Sequence, residues 1–148
     1  MCGIVGLFLK DKSLEPELGT LLSDMLVTLT DRGPDSAGIA IYGSADRGLA
    51  KLTVQSAAPQ RDFPKIKETL SAAGIPVASL HLKDTHAVVA IAADKLDAAR
   101  AALSAALPEL RVMGAGEAME IYKETGLPKD VVSRFSIRKM SGTHGNRR

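Results

Sequence analysis

The 148-residue chain carries 19 basic and 17 acidic residues, a net charge of +2, so its charge balance gives no reason to expect a nucleic-acid partner. Its residues are 45% apolar but only 3% aromatic, with no tryptophan, so a core must be built from Ala, Leu, Ile and Val. One cysteine excludes an internal disulfide framework and suits a reducing compartment. No secretory signal or apolar run of about 18 residues is present, so no membrane partner and a cytoplasmic location are expected.

Residues 3–9, GIVGLFL, read as a buried strand between a glycine and the charged Lys10-Asp11-Lys12. Leu18, Leu21, Leu22, Met25, Leu26 and Leu29 then fall at helical spacing, with Pro16 suited to a first turn and Gly33-Pro34 to a stop. Residues 38–42 give a second apolar strand. The stretch 48–57 is expected to pair with it across the 43–48 turn.

From about Ala57 the texture changes. An amphipathic helix is expected over 63–73, strands over 76–82 and 85–93, and an alanine-rich helix over 94–107 with Asp94 as its N-cap. A strand over 110–113, a turn at Gly114-Ala115-Gly116 and a helix over 117–125 complete the pattern. With 50–55 as its first strand, this is the split βαβ order of a ferredoxin-like unit over 48–126. The polar, glycine-containing residues 140–148 are expected to form a disordered tail.

The chemistry concentrates at Cys2. An ordinary thiol, with a pKa of about 8.5, is only a few per cent thiolate at neutral pH and needs a base. Removal of Met1, which aminopeptidase favours when a small residue follows, would give Cys2 a free α-amine titrating at about 7.7–8.0. Nucleophile and base would then share one residue. Gly3 would let the backbone run close to a substrate.

A second block, DRGPDSAGI, follows the first helix. The pair of MCGIVG and Arg32-Gly33-Pro34-Asp35-Ser36 resembles the class II glutamine amidotransferases, whose glutaminase domains belong to the N-terminal-nucleophile hydrolases. The resemblance implies an α+β fold, part of an αββα sandwich, carrying the ferredoxin-like unit as an insertion. It implies Cys2 as catalytic nucleophile on L-glutamine, with a γ-glutamyl thioester and release of ammonia to a partner synthase. It implies that Gly3, Arg32, Gly33, Asp35 and Ser36 brace the site or bind substrate. No cofactor and no metal are expected, and His81, His86 and His144 read as strand-end or surface residues. In carrying such an insertion the chain resembles the stand-alone amidotransferase subunits of glutamate-synthase-like systems, N-methylglutamate synthase among them.

The family's later elements are a Gly-His-Thr-Arg strand, an Asn-Gly oxyanion pair and an Asp that reads the substrate amine. Met140–Gly145 looks like the lead-in to the first of these, but Asn146-Arg147-Arg148 supply neither its arginine nor the Asn-Gly pair. The resemblance therefore covers 1–43 well and 136–145 weakly, and residues 1–148 are expected to be a glutaminase domain incomplete at its C-terminus. The alternative is an inactive fragment that acts as a regulatory or docking module through residues 48–126.

Overall fold

The structure, a computed structural model, describes residues 3–32 and 34–147, the side chain of Arg147 excepted. In chain order the strands and helices are β1 Val5–Phe8, α1 Leu18–Thr28, β2 Ser36–Tyr42, β3 Leu49–Gln55 and α2 Pro59–Ala72. There follow β4 Val77–Lys83, β5 His86–Ala92, α3 Leu96–Ala106, β6 Arg111–Gly116, β7 Met119–Thr125, α4 Pro128–Arg134 and β8 His144–Arg147. The strands form two four-stranded sheets in a mixed α+β fold, and the chain divides into two compact units.

The first unit comprises residues 1–44 and 121–148. Its sheet has the order β1-β8-β2-β7, with β8 antiparallel to both β1 and β2. Leu18, Leu22 and Leu26, one helical turn apart, are fully buried along α1. The helix is led in by a 3-10 turn, Lys12–Glu17, capped by the Asp11 carboxylate accepting from Ser13 N–H at 2.9 Å. Its first turn lies on the backbone of residues 137–140, where Gly19 N–H donates to the Met140 carbonyl at 2.9 Å. A Cβ at Gly19 would run into the Ile137 carbonyl oxygen, so the approach requires glycine.

The polar segment 140–148 corrects the sequence reading. Residues 144–147 form β8, hydrogen-bonded between two strands, rather than a disordered tail. Apolar side chains are not what holds it. Gly145 accommodates Leu22 of α1, since a Cβ there would lie 2.7 Å from Leu22 Cδ2. On the other face the His144 ring stacks on Tyr42 at 3.9 Å between centroids and 15° between planes.

The expected helix over 117–125 is also corrected: residues 119–125 are β7. Tyr122, fully buried, stacks on Phe135 at 5.2 Å, and a β-favouring Ile-Tyr pair at the strand's centre outweighs the charged residues around it.

The second unit, residues 45–120, ends earlier than the expected 126 because β7 continues in the first unit's sheet. Its elements run β3, α2, β4, β5, α3, β6, and its sheet has the antiparallel order β4-β5-β3-β6. Leu52, Val54, Ala87, Val89 and Ile91 meet Phe63, Ile66 and Leu70 of α2 and Ala99 and Leu103 of α3 in one core. Strand β3 pairs with β5 and β6, so the expected hairpin between residues 38–42 and 48–57 does not form. The pairs Leu52–Val89 and Val54–Ala87 give β3 an apolar partner along its length. Asp94 lies inside the 3-10 turn Ala93–Lys95 and does not cap α3. Gly114-Ala115-Gly116 belongs to β6, with Gly114 opposite Thr53 beside a bulge, and is not a turn.

Candidate active site

Two of the residues singled out by sequence, Cys2 and Gly33, lie outside the described residues. The others can be placed. Gly3 leads into β1, and a Cβ on it would lie 3.2 Å from Arg32 Cβ, 3.7 Å from Arg32 Cδ and 3.7 Å from Leu29 Cδ1. The end of α1 and the 3-10 turn Thr30–Arg32 therefore lie against the residue next to Cys2. Local geometry shapes that corner. After Thr28 the helix tightens, with Leu29 N–H donating to Leu26 O and Arg32 N–H to Leu29 O, both at 3.1 Å.

Asp35 is exposed, and its carbonyl accepts from Gly126 N–H at 2.9 Å, tying the turn to the end of β7. Ser36 opens β2. Arg32 and Asp35 are not ion-paired to one another among the described residues. Thus Gly3 and Arg32 are brought together, while Asp35 and Ser36 stand beyond them at the entrance to β2. Leu29 was missed by sequence reasoning, which took it only as part of the helical stripe. No signal in the chain ties it to Gly3.

At the far end of β1 an open cleft of about 250 Å³ is bordered by Lys12, Glu15, Gly43, Ser141 and Thr143. Neither Gly3 nor Arg32 lines it. It is therefore not part of the Gly3–Arg32 corner.

The second unit holds its own polar groupings. Asp62, almost fully buried, accepts from Arg61 Nε at 2.7 Å and from Ser56 Oγ at 2.6 Å. Those hydrogen bonds, the arginine's foremost, hold its carboxyl down at about 2. Lys51 pairs with Glu120 at 3.0 Å, and burial pushes the Lys83 ammonium down despite the nearby Glu120 charge. His86 is buried beside Thr85 Oγ1 at 3.1 Å. Among the described residues no three His, Cys, Asp or Glu side chains gather as metal ligands would. No helix among them is long and apolar enough to cross a membrane.

Comparison with known proteins gives a class first: two relatives that align with nearly the whole chain both bear glutamine amidotransferase names. One is the glutamine amidotransferase-like protein GlxB of Rhizobium meliloti, 64% identical over 145 residues, covering 98% of this chain and 48% of that protein. The other, provisionally named a glutamine amidotransferase, is from Methanothermobacter thermautotrophicus, 27% identical over 155 residues, covering 97% of this chain and 50% of that protein. The names support a glutamine amidotransferase relationship. The chain spans about half the length of these relatives. No protein-family model matches the chain.

Proposed function

We propose that the chain is a class II, N-terminal-nucleophile glutamine amidotransferase domain that releases ammonia from L-glutamine. Once Met1 is removed, the Cys2 α-amine takes the thiol proton and the thiolate attacks the side-chain amide carbon of glutamine. The amide C–N bond breaks, the ammonium returns its proton to the leaving nitrogen, and ammonia departs from a γ-glutamyl thioester. Water then cleaves the thioester to glutamate and regenerates the thiol. Arg32 and Leu29 hold the chain on which Cys2 sits, and Asp35 and Ser36 shape the turn into β2. Ammonia passes to a synthase partner in the cytoplasm.

The observation that carries this reading is the packing of Arg32 on Gly3, which joins the two blocks of the amidotransferase resemblance at one corner. The relatives' names support its glutamine amidotransferase part alone. The fold belonging to this reading is an αββα sandwich in which the first unit supplies one sheet and its helices and residues 45–120 form a ferredoxin-like insertion. A second reading, a regulatory or docking module, is favoured by that unit's own core.

The test is the intact mass after incubation with 6-diazo-5-oxo-norleucine, a glutamine analogue that alkylates such nucleophiles. Loss of Met1 with one adduct that Cys2→Ala abolishes is the expected result. Loss of Met1 without an adduct would favour the second reading, and retention of Met1 would remove the proposed base.

A further inference from the structure

The second unit carries, outside its core, an open cleft of about 330 Å³ between the first two turns of α2 and the end of α3. Arg61, Asp62 and Lys65 line one side of it, and Leu107, Pro108 and Glu109 the other. Asp62, 4% exposed, anchors the first side. Its two oxygens accept from Arg61 Nε at 2.7 Å and from Arg61 Nη2 at 3.2 Å, and this two-point contact fixes the guanidinium plane. Arg61 Nη1 is left over, donating to no group among the described residues. Lys65, four residues further along α2, shares that helix face and makes no ion pair among the described residues. Glu109 makes none either. The Asp62 carboxylate foremost, and the Glu109 charge after it, raise the pKa of the Arg61 guanidinium, so the fields of both sides reach one cation.

The signs of these charges select a ligand. A lone anion held by Arg61 and Lys65 would face Glu109, and a lone cation held by Glu109 would face the two basic groups. A molecule with one charge of each sign avoids both conflicts. Leu107 and Pro108 offer the carbon skeleton of such a molecule an apolar wall. The volume is at the small end of the range for small-molecule pockets. We infer that this cleft binds a free α-amino acid with an apolar side chain. Arg61 and Lys65 take its carboxylate, Glu109 takes its ammonium, and Leu107 and Pro108 cover the side chain. Such a site needs nothing from the Gly3–Arg32 corner, so it holds whether or not the first unit is a glutaminase.

The experiment titrates the whole isotope-labelled chain with L-leucine and follows the backbone amide signals around Arg61, Lys65 and Glu109 by NMR. Leucine carries no side-chain amide, which separates its binding from glutamine chemistry at Cys2. These signals should shift with a midpoint on the order of 1–10 mM, as suits a ligand of so few atoms. Two analogues keep the carbon skeleton but lose one charge: 4-methylpentanoate lacks the ammonium and 3-methylbutylamine the carboxylate. Each should bind at least about tenfold more weakly than leucine. Lys65→Met and Glu109→Gln should each weaken leucine binding about three- to tenfold, the scale of one charged contact at a partly exposed site. Glu68→Gln, an exposed neighbour on α2 outside the cleft, should leave it unchanged. Lys65 and Glu109 are themselves exposed, so the variants' spectra should otherwise overlay the parent's. The assignment is overturned if leucine moves none of these signals at about 50 mM, several-fold above the expected range. It is equally overturned if either analogue binds as well as leucine, or if Lys65→Met and Glu109→Gln leave the midpoint where it was.

Discussion

Gly3 lies against Arg32 so closely that a methyl group on it would sit 3.2 Å from Arg32 Cβ. The next glycine on the strand, Gly6, has its nearest neighbour at 3.9 Å, an ordinary contact. Gly3→Ala should therefore push residues 2–4 away from the turn, whereas Gly6→Ala should not. A contact of 3.2 Å demands a shift of only a few tenths of an ångström, so alkylation of Cys2 by the glutamine analogue should slow by about two- to fivefold in Gly3→Ala. The rate in Gly6→Ala should stay near the parent's. Equal rates in the two variants would count against Arg32 as a positioning residue.

Replacing Gly19 by alanine should reverse the usual sign for a helix. Ala in place of Gly normally favours a helix by up to about 1 kcal/mol. At Gly19, however, the new Cβ would meet the Ile137 carbonyl and stand 2.6 Å from Met140 O, both backbone atoms that cannot swing aside. The expected outcome is a loss of about 3 kcal/mol, read from urea unfolding of Gly19→Ala. A stabilised variant would mean that α1 does not lie on residues 137–140.

Helix α1 was legible because Leu18, Leu22 and Leu26 repeat at one-turn spacing and so mark one buried face, whatever segment covers it. The strands β2, β4 and β5 and the helices α2 and α3 carried similar local signals. β8 did not, because a strand held between two others needs hydrogen bonds more than apolar side chains, and its packing depends on Gly145 and His144 rather than on a run of Val or Ile. The partner of β3 was equally hidden. A short turn suggested β2, but the choice was made by apolar pairs with β5 more than thirty residues on. At the candidate site the two motifs could be read directly, while their meeting at Gly3 and Arg32 required the intervening helix to return the chain.

Acid should act on the second unit through Asp62. Its carboxyl is held at about 2, below the ordinary 3.8, first by Arg61 and then by the Ser56 hydroxyl. A group depressed in the folded state contributes stability that is fully present above its unfolded value and is lost as pH falls through its folded value. Thermal stability should therefore fall between about pH 4 and pH 2, and Asp62→Asn should flatten that part of the profile. Equal slopes for the two proteins would show that the Ser56–Asp62–Arg61 group does not govern acid unfolding.

Asn146 carries a conflict that a substitution should relieve. Its Oδ1 is buried without a hydrogen-bond donor among the described residues. It stands on β8 between Gly6 of β1 and Ala40 of β2, so its flanks are small. A buried acceptor left unpaired costs about 1–3 kcal/mol, and a β-branched residue suits a strand better than asparagine. Asn146→Val should thus raise stability by about 1 kcal/mol, seen as a higher urea midpoint with unchanged slope. Asn146→Asp should act the other way, because it places an unpaired charge where even a neutral oxygen lacks a donor. If valine destabilises the chain instead, the Asn146 amide has a partner that its place between Gly6 and Ala40 does not reveal, and the strand depends on that partner.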